Sequence, residues 1–174
     1  MALEALWPLA AAFWFLVPAY IANSSAVVLG GGTPMDFGRK WPDGKELFGS
    51  HKTWRGYFGG IAGGVFWGLL QNIIHPGSFP WAVLIALPAG AMTGDLVKSF
   101  FKRRIGIAPG KTFPVADQFD FLLGAWLFAW LADPAWFGLI FAPATVVAAL
   151  VLTPALHVGV NRVGYLLKLK KEKY

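Results

Sequence analysis

The sequence predicts an all-α membrane protein with five transmembrane helices, its N-terminus outside and its C-terminus cytoplasmic. Three observations carry that prediction. The 174 residues are 56% hydrophobic and only 14% charged, with nine Trp, and the mean hydropathy is +0.55, more apolar than a water-exposed exterior allows. Five stretches come close to the roughly 20 apolar residues that a helix needs to cross a bilayer. All fifteen Lys and Arg fall on one side of a five-span arrangement, and positive charge marks the cytoplasmic side.

The first stretch covers 6–29. Its leading segment MALEALWPLAAAFWF carries Glu4 and no basic residue, unlike the positive start of a cleavable signal, so it reads as retained. The second covers 56–74, where Gly56, Gly60, Gly64 and Gly68 recur every fourth residue, with Gly59 and Gly63 beside them. Small residues at that spacing let two helix backbones approach closely in lipid. HPGSF leads to the third stretch, 81–101, and DPA separates the fourth, 113–132, from the fifth, 136–158. Such short links predict antiparallel hairpins. Pro143 and Pro154 should bend the fifth helix. No linker divides the chain, which reads as one catalytic domain over 1–174.

The basic residues form three groups. Arg39, Lys40, Lys45, Lys52 and Arg55 lie between the first two spans. Lys98, Lys102, Arg103, Arg104 and Lys111 lie at or between the ends of the third and fourth. Arg162, Lys168, Lys170, Lys171 and Lys173 follow the fifth. The tail reads as a basic amphipathic end on the membrane surface. A net charge of +6 gathered on one face suggests anionic headgroups or a phosphorylated substrate, not nucleic acid.

Several motifs carry no chemistry by spacing. GIAPGKT has three residues between Gly106 and Gly110, whereas a phosphate loop needs four. Its glycines and Pro109 instead suggest a tight turn presenting Lys111. His75 and His157 read as structural, while His51 stands beside Lys52 and Arg55 in HKTWRG. Asn23, Ser24 and Ser25 are polar groups in the first span, suited first to hydrogen bonds between helices. Cysteine is absent, which removes thiolate chemistry.

The chemistry concentrates in 94–121, GDLVKSFFKRRIGIAPGKTFPVADQFDF. Asp95, Lys98, Ser99 and Lys102 stand at offsets of three, four and seven, hence on one helical stripe. Asp117 and Asp120 share a face of the next helix. A charge at the middle of a bilayer costs roughly 2.5–3.5 kcal/mol on insertion scales, so these groups need partners or water. An Asp–Lys network alone would satisfy them. Three carboxylates beside several cations also suit Mg²⁺, which takes oxygen ligands and commonly bridges to phosphates, with Lys and Arg holding the remaining phosphate charge. A lipid phosphate monoester, largely ionised near neutral pH, would bring its own nucleophile. Intramembrane carboxylates also suit an ion or proton transporter. That reading lacks a polar route through the outer halves of the helices and a repeated half.

The same residues resemble those of a known family. Ser99-Phe-Phe-Lys102-Arg103 resembles the Ser-x-x-Lys-Arg element of the integral-membrane CTP:phosphatidate cytidylyltransferases, and Asp117-Gln-Phe-Asp120 resembles their closing pair of aspartates. GDLVKSFFKRRIGIAPGK, DQFDF and the upstream KTWRG are similar to the archaeal branch, whose product is CDP-archaeol. IGIAPGKTFPVA stands where bacterial members carry a Lys-Asp pair and a His-Gly-Gly segment.

The resemblance implies cytidylyl transfer from CTP to a geranylgeranyl ether-linked glyceryl phosphate, with Mg²⁺ as cofactor. It assigns Asp117 and Asp120, with Asp95 as a third, to the metal and to catalysis, together with Lys102 and Arg103. Ser99, Lys98, Lys52, Arg55 and Lys111 become phosphate contacts. The partners are then CTP, a membrane lipid phosphate and the bilayer. No nucleic acid is implied, and a homodimer is an assembly the sequence permits.

Overall fold

A computed structural model describes residues 2–113 and 115–166. Lys168, Lys170, Lys171, Lys173 and the side chain of His157 lie outside the described residues, so the surface-lying tail and the structural reading of His157 do too. Among the described residues six helices form: α1 (Ala2–Leu29), α2 (Trp54–Ile74), α3 (Trp81–Arg104), α4 (Ala116–Ala132), α5 (Pro134–Ile140) and α6 (Pro143–Leu166).

The predicted fifth helix is in fact two. α5 stops at Phe141, and α6 restarts at Pro143 with a 74° bend between them. Proline lacks the N–H that would continue the first helix, and its fixed φ suits the start of the next. By length and composition, α1 and α3 are suited to cross a membrane, and the bent α5–α6 pair makes a third if it counts as one span. α4 is only 17 residues long.

The ends of the helices are set by local side chains. Thr53 caps α2 by accepting from Gly56 N at 3.1 Å, a bond of the type worth about 1 kcal/mol. Asp133 ends α4 and caps α5, accepting from Trp136 N at 2.9 Å. At the HPGSF turn, Asn72 accepts from Phe79 N and donates to Phe79 O, at 2.8 and 2.9 Å. Trp136 Nε1 donates to Ser78 O at 3.0 Å.

The apolar core lies toward that turn. Leu16, Val83, Leu84, Leu87 and Leu122 are fully enclosed, and Phe15, Phe79, Trp136 and Phe141 meet largely edge to face around them. At the opposite end the chain is charged, and residues 30–53 fold over it. This loop has two isolated bridges, Pro34 with Thr53 and Lys40 with Glu46. Its pivot is Asp36, 4% exposed, which accepts from Gly38 N, Phe48 N and Gly49 N at 3.0–3.1 Å. Burial works against that carboxylate's charge, but the three N–H groups outweigh it and hold Asp36 below the usual carboxylate value. Arg104 fastens the loop to α3 by pairing with Asp43 at 2.8 Å and lying over Trp41, 5.9 Å from the ring centre.

Candidate active site

Gly94 makes the site possible. A Cβ at this position would overlap Asp120 O and lie 3.2 Å from Gly124 Cα, while one at Gly124 would overlap Gly90 O. Only hydrogen fits between the two backbones, so α3 and α4 meet at their closest where Asp95 and Asp120 project. The predicted stripe on α3 forms, with Asp95, Ser99 and Lys102 buried.

The three predicted carboxylates converge, and what they converge on is Lys98. Its Nζ lies 3.2 Å from Asp95 Oδ1, 2.9 Å from Asp117 Oδ1 and 2.5 Å from Asp120 Oδ2. Lys52, brought in by the loop before α2, reaches Asp95 Oδ2 at 2.5 Å. Lys102 Nζ lies 3.2 Å from Asp117 Oδ1 and also donates to Lys111 O at 2.5 Å. Asp117 accepts from Phe113 N at 2.6 Å, at the entrance to α4. Three carboxylates thus face three ammonium groups. Removing one partner from a buried pair costs about 3–5 kcal/mol because the other charge is stranded, so the balance explains how the cluster survives next to apolar helices.

The remaining predicted residues separate. Ser99 Oγ donates back to Asp95 O at 2.9 Å, which engages its proton within the helix. Arg103 turns away from the carboxylates. It is buried beneath Gly49 and Pro109, with Nε and one terminal nitrogen making no hydrogen bond among the described residues. Arg55 is directed elsewhere: it donates to Leu29 O at 2.7 Å and Gly30 O at 2.6 Å. The carbonyls left open at the end of α1 attract a guanidinium strongly, and sequence spacing gives no sign of that competition.

Beside the cluster a cavity of about 340 Å³ opens between α1, α2, α3 and the loop. Asn23, His51, Lys52, Tyr57, Met92 and Asp95 are among its lining residues. Asn23 therefore faces a cavity, where the sequence favoured contacts between helices. Tyr57 and Met92 had no sequence signal, being ordinary residues of apolar helices. Asp36 acts at a distance, by shaping the loop that delivers His51 and Lys52, and its only signal was the Asp-Phe-Gly turn.

The donors suit a hard divalent cation, since all are carboxylate oxygens. Their present arrangement does not: among the described residues no group of three His, Cys, Asp or Glu is disposed to hold a metal ion, and the ammonium of Lys98 stands within 3.2 Å of all three aspartates. A cavity lined by both polar and apolar groups, with a carboxylate–lysine cluster beside it at one end of an apolar helix bundle, suits a membrane-embedded enzyme that handles phosphorylated substrates.

Comparison with known proteins narrows that class. The family described as CarS-like, CDP-archaeol synthase, matches residues 6–174. The CDP-archaeol synthase of Methanosarcina mazei is 41% identical over 175 residues, covering 91% of this chain and 100% of the relative. That of Pyrococcus furiosus is 44% identical over 167 residues, covering 94% and 96%. A solved structure described as an intramembrane enzyme for archaeal membrane lipid biosynthesis superposes with a TM-score of 0.76 at 36% identity, over 86% of this chain and 92% of that one. The chain belongs to the CDP-archaeol synthase family.

Proposed function

We propose that the chain transfers a cytidylyl group from CTP to a geranylgeranyl ether-linked glyceryl phosphate, giving CDP-archaeol and pyrophosphate. The observation that carries this reading is the meeting of Asp95, Asp117 and Asp120 with Lys52, Lys98 and Lys102 beside a cavity at the charged end of the bundle. In the reaction a phosphate oxygen of the lipid bonds to the α-phosphorus of CTP. The bond from that phosphorus to the bridging oxygen breaks, and pyrophosphate leaves with the electron pair.

No protein base is required, because the monoester is already ionised. The protein's task is to bring two anions together and offset their repulsion. Asp95, Asp117 and Asp120 would hold Mg²⁺, which when bound supplies charge neutralisation at the phosphates. Lys52, which lines the cavity, and Lys102, which pairs with Asp117, would hold phosphate oxygens, and Lys111, whose carbonyl anchors Lys102, fixes the turn beside them. Ser99 and Arg103 support the same segment from beneath. In our reading Arg55 serves the end of α1 and only indirectly the substrate.

The orientation that suits this chemistry places residues 30–53 and 105–115 in the cytoplasm, where CTP is found, with five crossings and the N-terminus outside. α5 and α6 together then make the last crossing of the cell membrane. Lipid tails would remain in the bilayer while the headgroup enters the cavity.

The direct test supplies purified protein with Mg²⁺, labelled CTP and the ether-linked lipid phosphate, with phosphatidate in parallel. CDP-lipid and pyrophosphate should appear in equal amounts and require all three components. Folded protein that forms neither product from either lipid would end the proposal.

A further inference from the structure

Lys98 stands among the three carboxylates that would hold a divalent cation. Its ammonium is within 3.2 Å of all three carboxylates and donates to Asp95 Oδ1. Asp120 Oδ2 is sealed from solvent and accepts no hydrogen bond among the described residues, although Lys98 Nζ is 2.5 Å away. What holds the ammonium among the three aspartates is chiefly opposite charge, which another cation can supply. The group is carried on a flexible four-carbon stem. Asp117 Oδ1 is already shared with Lys102 at 3.2 Å, so it keeps a partner after such a move.

The charge balance then decides what can enter. Asp95, Asp117 and Asp120 are matched by Lys52, Lys98 and Lys102. A bare divalent ion would add two positive charges to a neutral cluster. One that arrives with a triphosphate brings negative charge along, and the displaced ammonium has phosphate oxygens to turn to. We propose, resting on the cytidylyltransferase reading above, that Lys98 is a built-in counter-cation: it holds the three carboxylates in the resting site, excludes a bare divalent ion, and gives way to one that enters with nucleotide phosphates. Metal entry is thereby coupled to nucleotide entry, and the coupling resides in one side chain.

Mn²⁺ binding to the full-length protein in nanodiscs, followed by electron paramagnetic resonance, reads this directly. Wild type should bind Mn²⁺ weakly alone and about tenfold or more tightly with a non-hydrolysable CTP analogue. Lys98→Met should bind Mn²⁺ alone about tenfold more tightly than wild type, and the analogue should add less. Lys98→Arg keeps the charge and should keep the weak binding of metal alone. Mn²⁺ affinity in Lys98→Met equal to or below that of wild type would overturn the proposal. So would tight metal-only binding by wild type or by Lys98→Arg. Both of those proteins retain the cation, and neither measurement depends on the folding of the methionine variant. The two readings fail separately. Absence of CDP-lipid from wild type removes the reaction, while the metal-only comparison decides the role of Lys98 whatever is turned over.

Discussion

Two glycine seams run through this protein, and they do different work. Along α2, Gly56, Gly60, Gly64 and Gly68 are buried and let α1 and α3 close in, as their spacing predicts. Part of that seam is forgiving: a Cβ at Gly68 would meet only side chains, Leu84 Cδ1 at 2.5 Å and Pro18 Cγ at 3.5 Å. Between α3 and α4 the obstruction at Gly94 is backbone, the carbonyl oxygen of Asp120, and backbone moves only with its helix. One seam joins helices. The other sets the approach of the helices that carry Asp95 and Asp120, so the same residue type supports packing in one place and the proposed chemistry in the other.

The contrast predicts unequal damage from the same methyl group. Gly94→Ala should have the largest effect, lowering CDP-lipid formation about tenfold or more because forcing the helices apart also separates Asp95 from Asp120. Overpacking of this kind costs about 1–3 kcal/mol, so thermal unfolding should move down as well. Activity in Gly94→Ala close to wild type would break the distinction between the seams.

A smaller effect is expected from Gly68→Ala, where a leucine end can turn aside. Its melting temperature should fall by the equivalent of about 1 kcal/mol while turnover stays within about twofold of wild type. Loss of turnover as severe as in Gly94→Ala would show that both seams position the site.

The smallest effect on turnover at neutral pH is expected in the loop that covers the carboxylate end. Asp36→Asn should lower stability by about 1–2 kcal/mol, since an amide accepts less well from three N–H groups. The sign of the pH dependence follows from the lowered value of Asp36. Its contribution is present above the ordinary carboxylate value of 3.8 and disappears as pH falls through the lower, folded-state value. Wild type should therefore lose stability relative to Asp36→Asn on acidification, a difference that thermal unfolding across pH would detect. Parallel curves for the two proteins would remove Asp36 as the pivot.

Much of this was legible in the chain because periodicity reports faces. The stripe from Asp95 to Lys102, the pair Asp117 and Asp120, and the α2 glycines each lie on a single helix, and one helix is what a spacing describes. The α3–α4 seam was hidden although Gly90 and Gly94 carry the same four-residue interval. Its other half, Gly124, stands alone in α4 and has meaning only when the helices meet. Competition for cations was equally invisible. Arg55 and Lys52 are three residues apart in one basic segment, yet one satisfies open carbonyls of α1 and the other a buried carboxylate. The break at Pro143 was half legible, as a bend in one helix, because a proline marks the place and the packing around Trp136 and Phe141 fixes how far the chain turns.

Whether the carboxylate–lysine cluster performs the transfer is tested most directly by Asp120→Asn. The variant keeps the shape of a side chain only 5% exposed while removing its charge. With insertion and thermal unfolding checked alongside, labelled CDP-lipid formation from CTP and the ether-linked lipid phosphate should fall by about a hundredfold or more. Turnover near that of wild type would place the chemistry elsewhere in the protein.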